Sequence, residues 1–189
     1  MSIGDMRIMK KKLKMLLAII IGCFVFSITA FADEDAEWED AIKNLPVQKE
    51  SVLLPDGVNK SVGYGNAMRG NYMGSSGLGL VNKGYSVLGI HADTACHVPV
   101  KKIKMNIYLD RWNEEEQDWI QVDAYSFTYE YKEGGEDLTF VSVDFDVSGF
   151  PADNYYRLRS FHAVWAFTGA IEMQGPMTNG IKLTDGPSL

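Results

Sequence analysis

A short stretch of the chain carries four side chains of the kinds that bind metals: His91, Asp93, Cys96 and His97. Zinc takes imidazole, carboxylate and thiolate ligands in a tetrahedral arrangement. Side chains of an extended strand alternate between its two faces, and Leu88 and Ile90 place the apolar face at the even-numbered positions. His91 and Asp93 would then point away from Cys96. The pattern favours a buried cysteine and solvent-facing histidines, so we predict neither a metal site nor a cofactor.

The residue types used in hydrolysis are present without a diagnostic spacing. The segment from Gly74 to Gly77 contains two serines but lacks the G-x-S-x-G spacing of a nucleophile elbow. Asp144 and Asp146 could supply the carboxylates of a glycosidase, yet their alternation with apolar residues is typical of a solvated strand face. The acidic run from Glu114 to Asp118 lacks the regular spacing and central glycine of a calcium loop. We predict a protein that is not an enzyme, with a secreted hydrolase acting on an extracellular polysaccharide as the alternative.

Aromatic side chains have the most functional content, because they fall at predicted strand ends or on faces opposite the apolar runs. Exposed rings can stack on the faces of sugars or anchor a partner protein. Packing inside the protein is the alternative use of the same rings. The candidate ligand-binding rings are Trp112, Trp119, Tyr155, Phe161 and Trp165, and Tyr108 is a further ring of this kind.

Two arginines accompany these rings. Arg157 and Arg159 flank Leu158, so in a strand both point outward while Leu158 points into the core. They are candidate binding residues for a carboxylate ligand. The alternative, which we expect, is cross-strand pairing with Asp144 or Asp146.

β-Strands must position these side chains. From Lys60 onward apolar and polar residues alternate with a period of two, and no helix of ten or more residues is predicted. The clearest alternation, from Ile103 to Leu109, predicts a half-buried antiparallel strand whose hairpin partner lies at 119–131. Further strands are expected at 62–65, 78–81, 85–92, 140–147, 155–167 and 180–183. About seven to nine short strands predict an all-β fold, an antiparallel β-sandwich of the jelly-roll or immunoglobulin-like type.

The amino terminus has the three-part order of a secretory signal peptide. An apolar run from Leu16 to Ile28 follows four lysines and precedes Ala30-Phe31-Ala32. Small residues at 30 and 32 fit the cleavage site of signal peptidase, so we predict that residues 1–32 are removed after Ala32. The mature protein is then extracellular and meets the membrane only through its signal peptide before cleavage.

Two alternatives to simple cleavage stay open. The apolar stretch from Leu13 to Phe31 is near the length of about 20 residues that a membrane-spanning helix needs, so it could remain as an uncleaved anchor. Cys23 follows a glycine, as the lipidated cysteine of a lipoprotein does, although apolar residues continue beyond it. The cleavage motif ending at Ala32 favours removal over both.

Removal of the signal peptide leaves a strongly acidic chain. Five of the 18 basic and one of the 25 acidic residues lie in residues 1–32, which leaves 13 and 24 and a net charge of −11. Such a chain repels phosphate backbones, so we predict no nucleic-acid partner. Residues 33–59 are predicted to form an acidic flexible leader, and 60–189 the β-sandwich domain.

Three segments also carry a resemblance: Thr94 to Trp112 (TACHVPVKKIKMNIYLDRW), Asp153 to His162 (DNYYRLRSFH) and Met177 to Ile181 (MTNGI). In this order, behind a lysine-rich signal, they resemble a family of small secreted proteins of gut-dwelling Clostridia, within the Firmicutes, that contains a domain of unknown function. The resemblance covers residues 86–183. It implies an extracytoplasmic β domain and supplies no catalytic or binding residues.

Export, sandwich-like patterning and the missing catalytic motifs together predict a function. We expect a secreted or cell-surface module for binding or adhesion, with an extracellular glycan or a protein as its ligand. A structural subunit associated with the cell envelope is a further alternative, and the pattern specifies no oligomeric state.

Overall fold

A computed structural model describes residues 51–65 and 70–187. No helix, and so no apolar helix long enough to cross a membrane, occurs in these residues. The signal peptide and the leader up to residue 50 lie outside them. The described part contains nine strands: β1 (Lys60–Tyr64), β2 (Met73–Gly84), β3 (Val87–Cys96), β4 (Lys102–Asn113), β5 (Asp118–Glu130), β6 (Phe140–Ser148), β7 (Tyr155–Trp165), β8 (Ile171–Gln174) and β9 (Ile181–Lys182).

The strands form two antiparallel sheets, which confirms the predicted all-β sandwich. The first sheet has the order β1-β2-β3-β6 and the second the order β5-β4-β7-β8, with β9 pairing to the start of β7. The chain crosses from one sheet to the other after β3, after β5 and after β6. Because of these crossings, β7 has β4 and not β6 as its neighbour.

The core lies between the two sheets and follows the predicted alternation. Burial of the apolar side chains between the sheets is the main source of stability, because the described residues contain no disulfide. Leu158 on β7 is completely buried, as predicted from its place between two arginines. Fully or almost fully buried side chains include Leu78, Leu80, Leu88 and Ile90 from the first sheet and Ile103, Met105, Ile107 and Leu109 from the second.

A β-bulge decides which residues of β5 face outward. Leu109 pairs with Asp123 and Asp110 with Gln121, so Val122 is an extra residue in β5. One extra residue exchanges the two faces of a strand, because the side-chain period is two. Beyond the bulge, Trp119 therefore lies on the same face as its cross-strand partner, Trp112.

Two strand segments were not predicted. β8 was missed because it has four residues and pairs only with the end of β7. The first half of β2, Met73 to Gly77, consists largely of glycine and serine, which are poor strand formers by themselves. Pairing with β3 holds this half in an extended conformation, so tertiary structure overrides the local preference.

The described end of the predicted leader lies against the second sheet. The carbonyl of Val52 accepts a hydrogen bond from the amide of Gly180 at 2.9 Å, and the amide of Leu54 donates to the carbonyl of Gly180 at 2.8 Å. Ser51 Oγ donates to the carbonyl of Thr178 at 2.7 Å. Residues 51–59 thus belong to the folded domain, although the sequence predicted that the domain begins at residue 60.

A polar link crosses the core between the sheets. His162 on β7 is fully buried, with Nδ1 2.7 Å from Thr94 Oγ1 on β3 and Nε2 2.8 Å from Ser160 Oγ. Burial lowers the pKa of His162 from 6.5 to about 3, so the ring is neutral in the folded protein. Two hydroxyl partners satisfy the ring, which makes the buried histidine tolerable in an apolar core.

Candidate ligand-binding face

The candidate binding residues lie on one surface, the solvent side of the five-stranded sheet, which is called the outer face below. Tyr156 and Leu158 of β7 point into the core, so the residues between and beside them point outward. Arg111 pairs with Tyr156, which places Trp112 outward on β4. The outer face collects all seven predicted residues: Trp112, Trp119, Tyr155, Arg157, Arg159, Phe161 and Trp165.

A buried carboxylate joins the two arginines. Asp110 Oδ2 accepts hydrogen bonds from Nε of Arg157 at 2.9 Å and Nε of Arg159 at 2.6 Å. Asp110 Oδ1 accepts another from Nη2 of Arg159 at 3.0 Å. The side chain of Asp110 is only 1% exposed, because the guanidinium groups cover it. We call these three residues the Arg-Asp-Arg cluster.

The predicted partners of these arginines were wrong. Asp144 and Asp146 lie on β6 in the other sheet, where Asp144 contacts His91 and Asp146 pairs with Lys83 at 2.6 Å. The error comes from strand order. Arg157 is paired directly with Asp110 across the β4–β7 ladder, and the sequence pattern does not specify that ladder.

The Arg-Asp-Arg cluster keeps a net positive charge. Burial lowers the pKa of Arg157, whereas the hydrogen bond to Asp110 raises the pKa of Arg159. Both guanidinium groups remain charged at neutral pH, because arginine ordinarily loses its proton only above pH ~12. Asp110 balances one of the two charges, so the three residues together carry one positive charge.

Each arginine also packs against an aromatic ring. The guanidinium carbon of Arg157 lies 4.6 Å from the ring centre of Trp119, and that of Arg159 lies 5.2 Å from the ring centre of Tyr108. Trp119 meets Trp112 edge to face at 5.3 Å between ring centres. Tyr108 meets Phe161 in the same way at 5.9 Å. The buried carboxylate therefore fixes the arginines, and the arginines fix the rings.

Tyr155 marks one end of the outer face. Its hydroxyl donates to Asp56 Oδ1 at 2.8 Å, and Lys182 Nζ donates to Asp56 Oδ2 at 3.1 Å. These hydrogen bonds lower the pKa of Asp56, and the bond to Asp56 raises the pKa of Tyr155. A cavity of about 200 Å³ adjoins this group and is lined in part by Asp56, Asn59, Asn82, Asp153, Lys182 and Thr184.

Trp165 marks the other end and is the least exposed of the candidate rings. It is 6% exposed, and the ammonium group of Lys102 lies 4.8 Å from its ring centre. The side chain of Lys102 thus lies between this ring and solvent. A ligand would reach the lysine before the indole.

The residues considered for a metal site separate as the parity argument predicted. His91 lies on the outward side of the first sheet, with Nδ1 2.7 Å from Asp144 Oδ1 and Nε2 3.2 Å from Asp93 Oδ1. Cys96 lies on the opposite side and packs against the core, but it is only partly buried, so the prediction of a buried cysteine was wrong in degree. Its position at the end of β3 leaves one side open. Burial raises the pKa of its thiol to about 11. Among the described residues, no group of three or more His, Cys, Asp or Glu side chains is placed to hold a metal ion.

Asp110 is the residue of the candidate face that the sequence pattern did not reveal. It follows the alternation of the polar face of β4 and resembles a solvated aspartate in the sequence. The sequence contains one indication of such a residue. Two outward arginines separated by one residue need an anion on a neighbouring strand if they are to be partly buried. The sequence alone does not tell which strand supplies it.

No protein-family model matches the chain, and no curated protein or solved structure matches it either. The resemblance to small secreted clostridial proteins therefore stays a prediction.

Proposed function

We propose that this protein is a secreted or cell-surface binding module, without enzymatic activity, that holds an extracellular glycan on its outer face. The single observation that carries the proposal is the Arg-Asp-Arg cluster, in which two arginines held by one buried aspartate each pack on an aromatic ring. The arrangement supplies rings and hydrogen-bond donors in fixed positions. Sugars present apolar C–H faces and hydroxyl edges that match these two kinds of group.

The rings of the outer face are not required by the hydrophobic core. The inward side of β4 and β7 is already filled by aliphatic residues such as Ile107, Leu109 and Leu158, all fully buried. Trp112, Trp119 and Phe161 keep part of their surface in solvent on the opposite side. Aromatic side chains that are partly exposed and rigidly held lose little entropy on binding, which is why binding surfaces are rich in them.

The supporting elements suit a binding role. Trp119, Tyr108 and Arg159 stand on three adjacent strands, β5, β4 and β7, whose hydrogen-bonded ladders fix their spacing. Sites on regular elements keep their geometry better than sites on loops. The ligand therefore meets a preformed surface, which reduces the entropy cost of binding.

Hydrolysis finds less support on this face. A glycosidase needs two carboxyl groups across a cleft, separated by about 5–10 Å. Asp110, the acidic side chain of the cluster, is buried and accepts hydrogen bonds from two arginines. A carboxylate held in this way is poorly placed to donate or accept a proton in a reaction.

The test is binding of the purified protein to a glycan array and to intestinal mucin. We expect Trp119→Ala and Phe161→Ala to weaken binding by about tenfold or more, since truncating a central aromatic contact commonly costs about 1–2 kcal/mol. Tyr64→Ala is the matched control, because Tyr64 is 71% exposed and lies on β1 in the other sheet. Equal losses in the control, or unchanged binding by Trp119→Ala, would refute the proposal.

A further inference from the structure

Strand β5 ends the five-stranded sheet, and within the described part of the chain no strand pairs with its second side. Just beyond β5, the amide of Tyr131 donates to the carbonyl of Lys101 at 2.9 Å. Backbone groups alternate between the two sides of a strand, so the odd-numbered residues of this half of β5 bond to β4. The amides and carbonyls of the even-numbered residues therefore point to the open side. These residues are Ala124, Ser126, Thr128 and Glu130.

This half of β5 lacks the features that usually keep the edge of a sheet from pairing. Residues 124–129 contain no charge, proline or glycine, and three of them are aromatic residues that favour strands. The three rings pack against the core but stay partly exposed. The bulge at Val122 lies before this segment, so the pairing of residues 124–130 with β4 is regular. The rings are those of Tyr125, Phe127 and Tyr129.

The strands at the other ends of the two sheets are protected. β1 has five residues and β8 has four, so both offer only a short edge. β6 is longer, but it carries Asp144 and Asp146, whose side chains are 73% and 52% exposed. Symmetric pairing of β6 about Phe145 would place Asp144 opposite Asp146 of the second copy, where like charges repel. Among these strands, β5 is the one suited to pairing.

We propose that a second copy of this chain occupies the edge, in an antiparallel pair of β5 strands over residues 124–130 with its two-fold axis at Phe127. In this register Ser126 lies opposite Thr128 of the second copy. Both residues have their amides and carbonyls on the open side, so these groups bond to each other across the axis. The contact is symmetric, because the same segment of each copy forms it.

The side chains are compatible with this register. Glu130 lies opposite Ala124 of the second copy, so no acidic side chain faces another one. Tyr125 lies opposite Tyr129 of the second copy, and the two Phe127 rings face each other at the axis. Cross-strand aromatic pairs of this kind stabilise a sheet. The pairing also covers rings that are partly exposed in the single copy.

The neighbouring registers are less favourable. Moving the axis one residue toward the amino terminus sets Glu130 opposite Val122, the extra residue of the bulge, where pairing is irregular. Moving it one residue toward the carboxyl terminus sets Asp123 opposite Glu133, a contact between like charges at each end of the pair. The axis at Phe127 avoids both.

Self-association does not depend on the proposed glycan binding, because it uses the edge of β5 and not the outer face. It joins the five-stranded sheets of the two copies into one. The two-fold axis is perpendicular to this sheet, so both outer faces lie on the same side. One long glycan can then bind at two places, which increases its apparent affinity.

Sedimentation velocity of the purified protein from about 1 μM to about 500 μM tests the pairing. We expect a monomer–dimer equilibrium with a dissociation constant on the order of 10 μM, since a single strand pair is a small interface. Thr128→Pro removes an amide that points to the second copy and leaves the hydrogen bonds to β4 intact, so it should abolish the dimer. Thr128→Val keeps the amide and is the matched control, which should dimerise like wild type.

A second pair of variants tests the same edge without proline. Ser126→Lys/Thr128→Lys places like charges opposite each other across the axis and should weaken the dimer at least about tenfold. Ser142→Lys/Ser148→Lys, at exposed positions of β6, adds the same charge to the other long edge and should leave the dimer unchanged. Thermal unfolding of each variant confirms that it is folded.

Three results would overturn the inference: a protein that stays monomeric over the whole range, species that keep growing beyond a dimer, or a dimer that both β5 variants leave unchanged. An equal loss in Ser142→Lys/Ser148→Lys would assign the contact to β6 and overturn it as well. None of these results affects glycan binding by a single copy through Trp119, so the two proposals fail separately.

Discussion

Asp110 and Arg159 are joined by two hydrogen bonds on the outer face, from Nε to Oδ2 at 2.6 Å and from Nη2 to Oδ1 at 3.0 Å. The pair has side-on geometry, in which the planar guanidinium matches the planar carboxylate. Arg157 adds a third bond to the same carboxylate at 2.9 Å. A charged residue that is only 1% exposed is stable here because two cations surround it.

Asp110→Asn should destabilise the fold strongly. The substitution keeps the size of the side chain but leaves two partly buried arginines without their counter-charge, and breaking a buried pair costs about 3–5 kcal/mol. Asp146→Asn is the control, since its pair with Lys83 is about half exposed and such pairs contribute about 0–1 kcal/mol. Denaturant unfolding measures both. Similar losses for the two variants would mean that Asp110 is not the anchor of the cluster.

Leu158→Ala should cost more stability than Arg157→Ala. Leu158 is completely buried, and its truncation removes core contacts and leaves a cavity, at a cost of about 2–5 kcal/mol. Arg157→Ala removes one of three hydrogen bonds to Asp110 while Arg159 stays bound, so we expect a loss of about 1–3 kcal/mol. Urea melts of the two variants decide the matter. A greater loss for Arg157→Ala would reverse the assigned faces of β7.

His162 should make the stability depend on pH in a defined window. Its pKa is lowered from 6.5 in the unfolded chain to about 3 in the fold, so between these values the unfolded chain binds one more proton. The free energy of unfolding therefore falls as the pH falls from 6.5 toward 3, by at most about 1.4 kcal/mol per pH unit from this residue. Above pH 6.5 its contribution is fully present.

Comparison of unfolding free energies for wild type, His162→Gln and Tyr64→Phe across this pH range isolates the effect. His162→Gln should show a shallower pH dependence, although its stability at neutral pH is lower. Tyr64→Phe, a change at an exposed position of β1 in the first sheet, should retain the wild-type slope. Parallel curves for wild type and His162→Gln would contradict the neutral, buried histidine.

Export should remove the signal peptide. The mass of the protein recovered outside the cells is expected to correspond to a chain that begins at Asp33, because Ala30 and Ala32 fit the peptidase site. Intact-mass spectrometry gives the answer directly. A diacylated Cys23 would establish a lipoprotein instead, and a chain that retains Met1 would establish an uncleaved anchor.

Alternation in the sequence was sufficient for most of the fold. Ile103 to Leu109 specified β4 and its buried side, and the same rule placed Leu158 in the core. β8 and the start of β2 lacked this signal, because one is short and the other consists of glycine and serine held by β3.

The candidate face was only partly predictable. Parity placed Arg157 and Arg159 on the side of Phe161, and the structure shows that arrangement. The partner of the arginines depends on which strand lies beside β7, and local sequence carries no such information. The orientation of Trp119 depends on the bulge at Val122, which one extra residue in β5 creates without an obvious sequence mark.

Amide chemical shifts recorded during titration with the glycan that binds best on the array show directly whether the outer face of the five-stranded sheet binds the ligand. We expect the largest shifts at Tyr108, Gln121 and Arg159, on three adjacent strands of that sheet. Shifts centred on His91 and Asp144 in the first sheet, or confined to the loops at the sandwich ends, would contradict binding at the outer face.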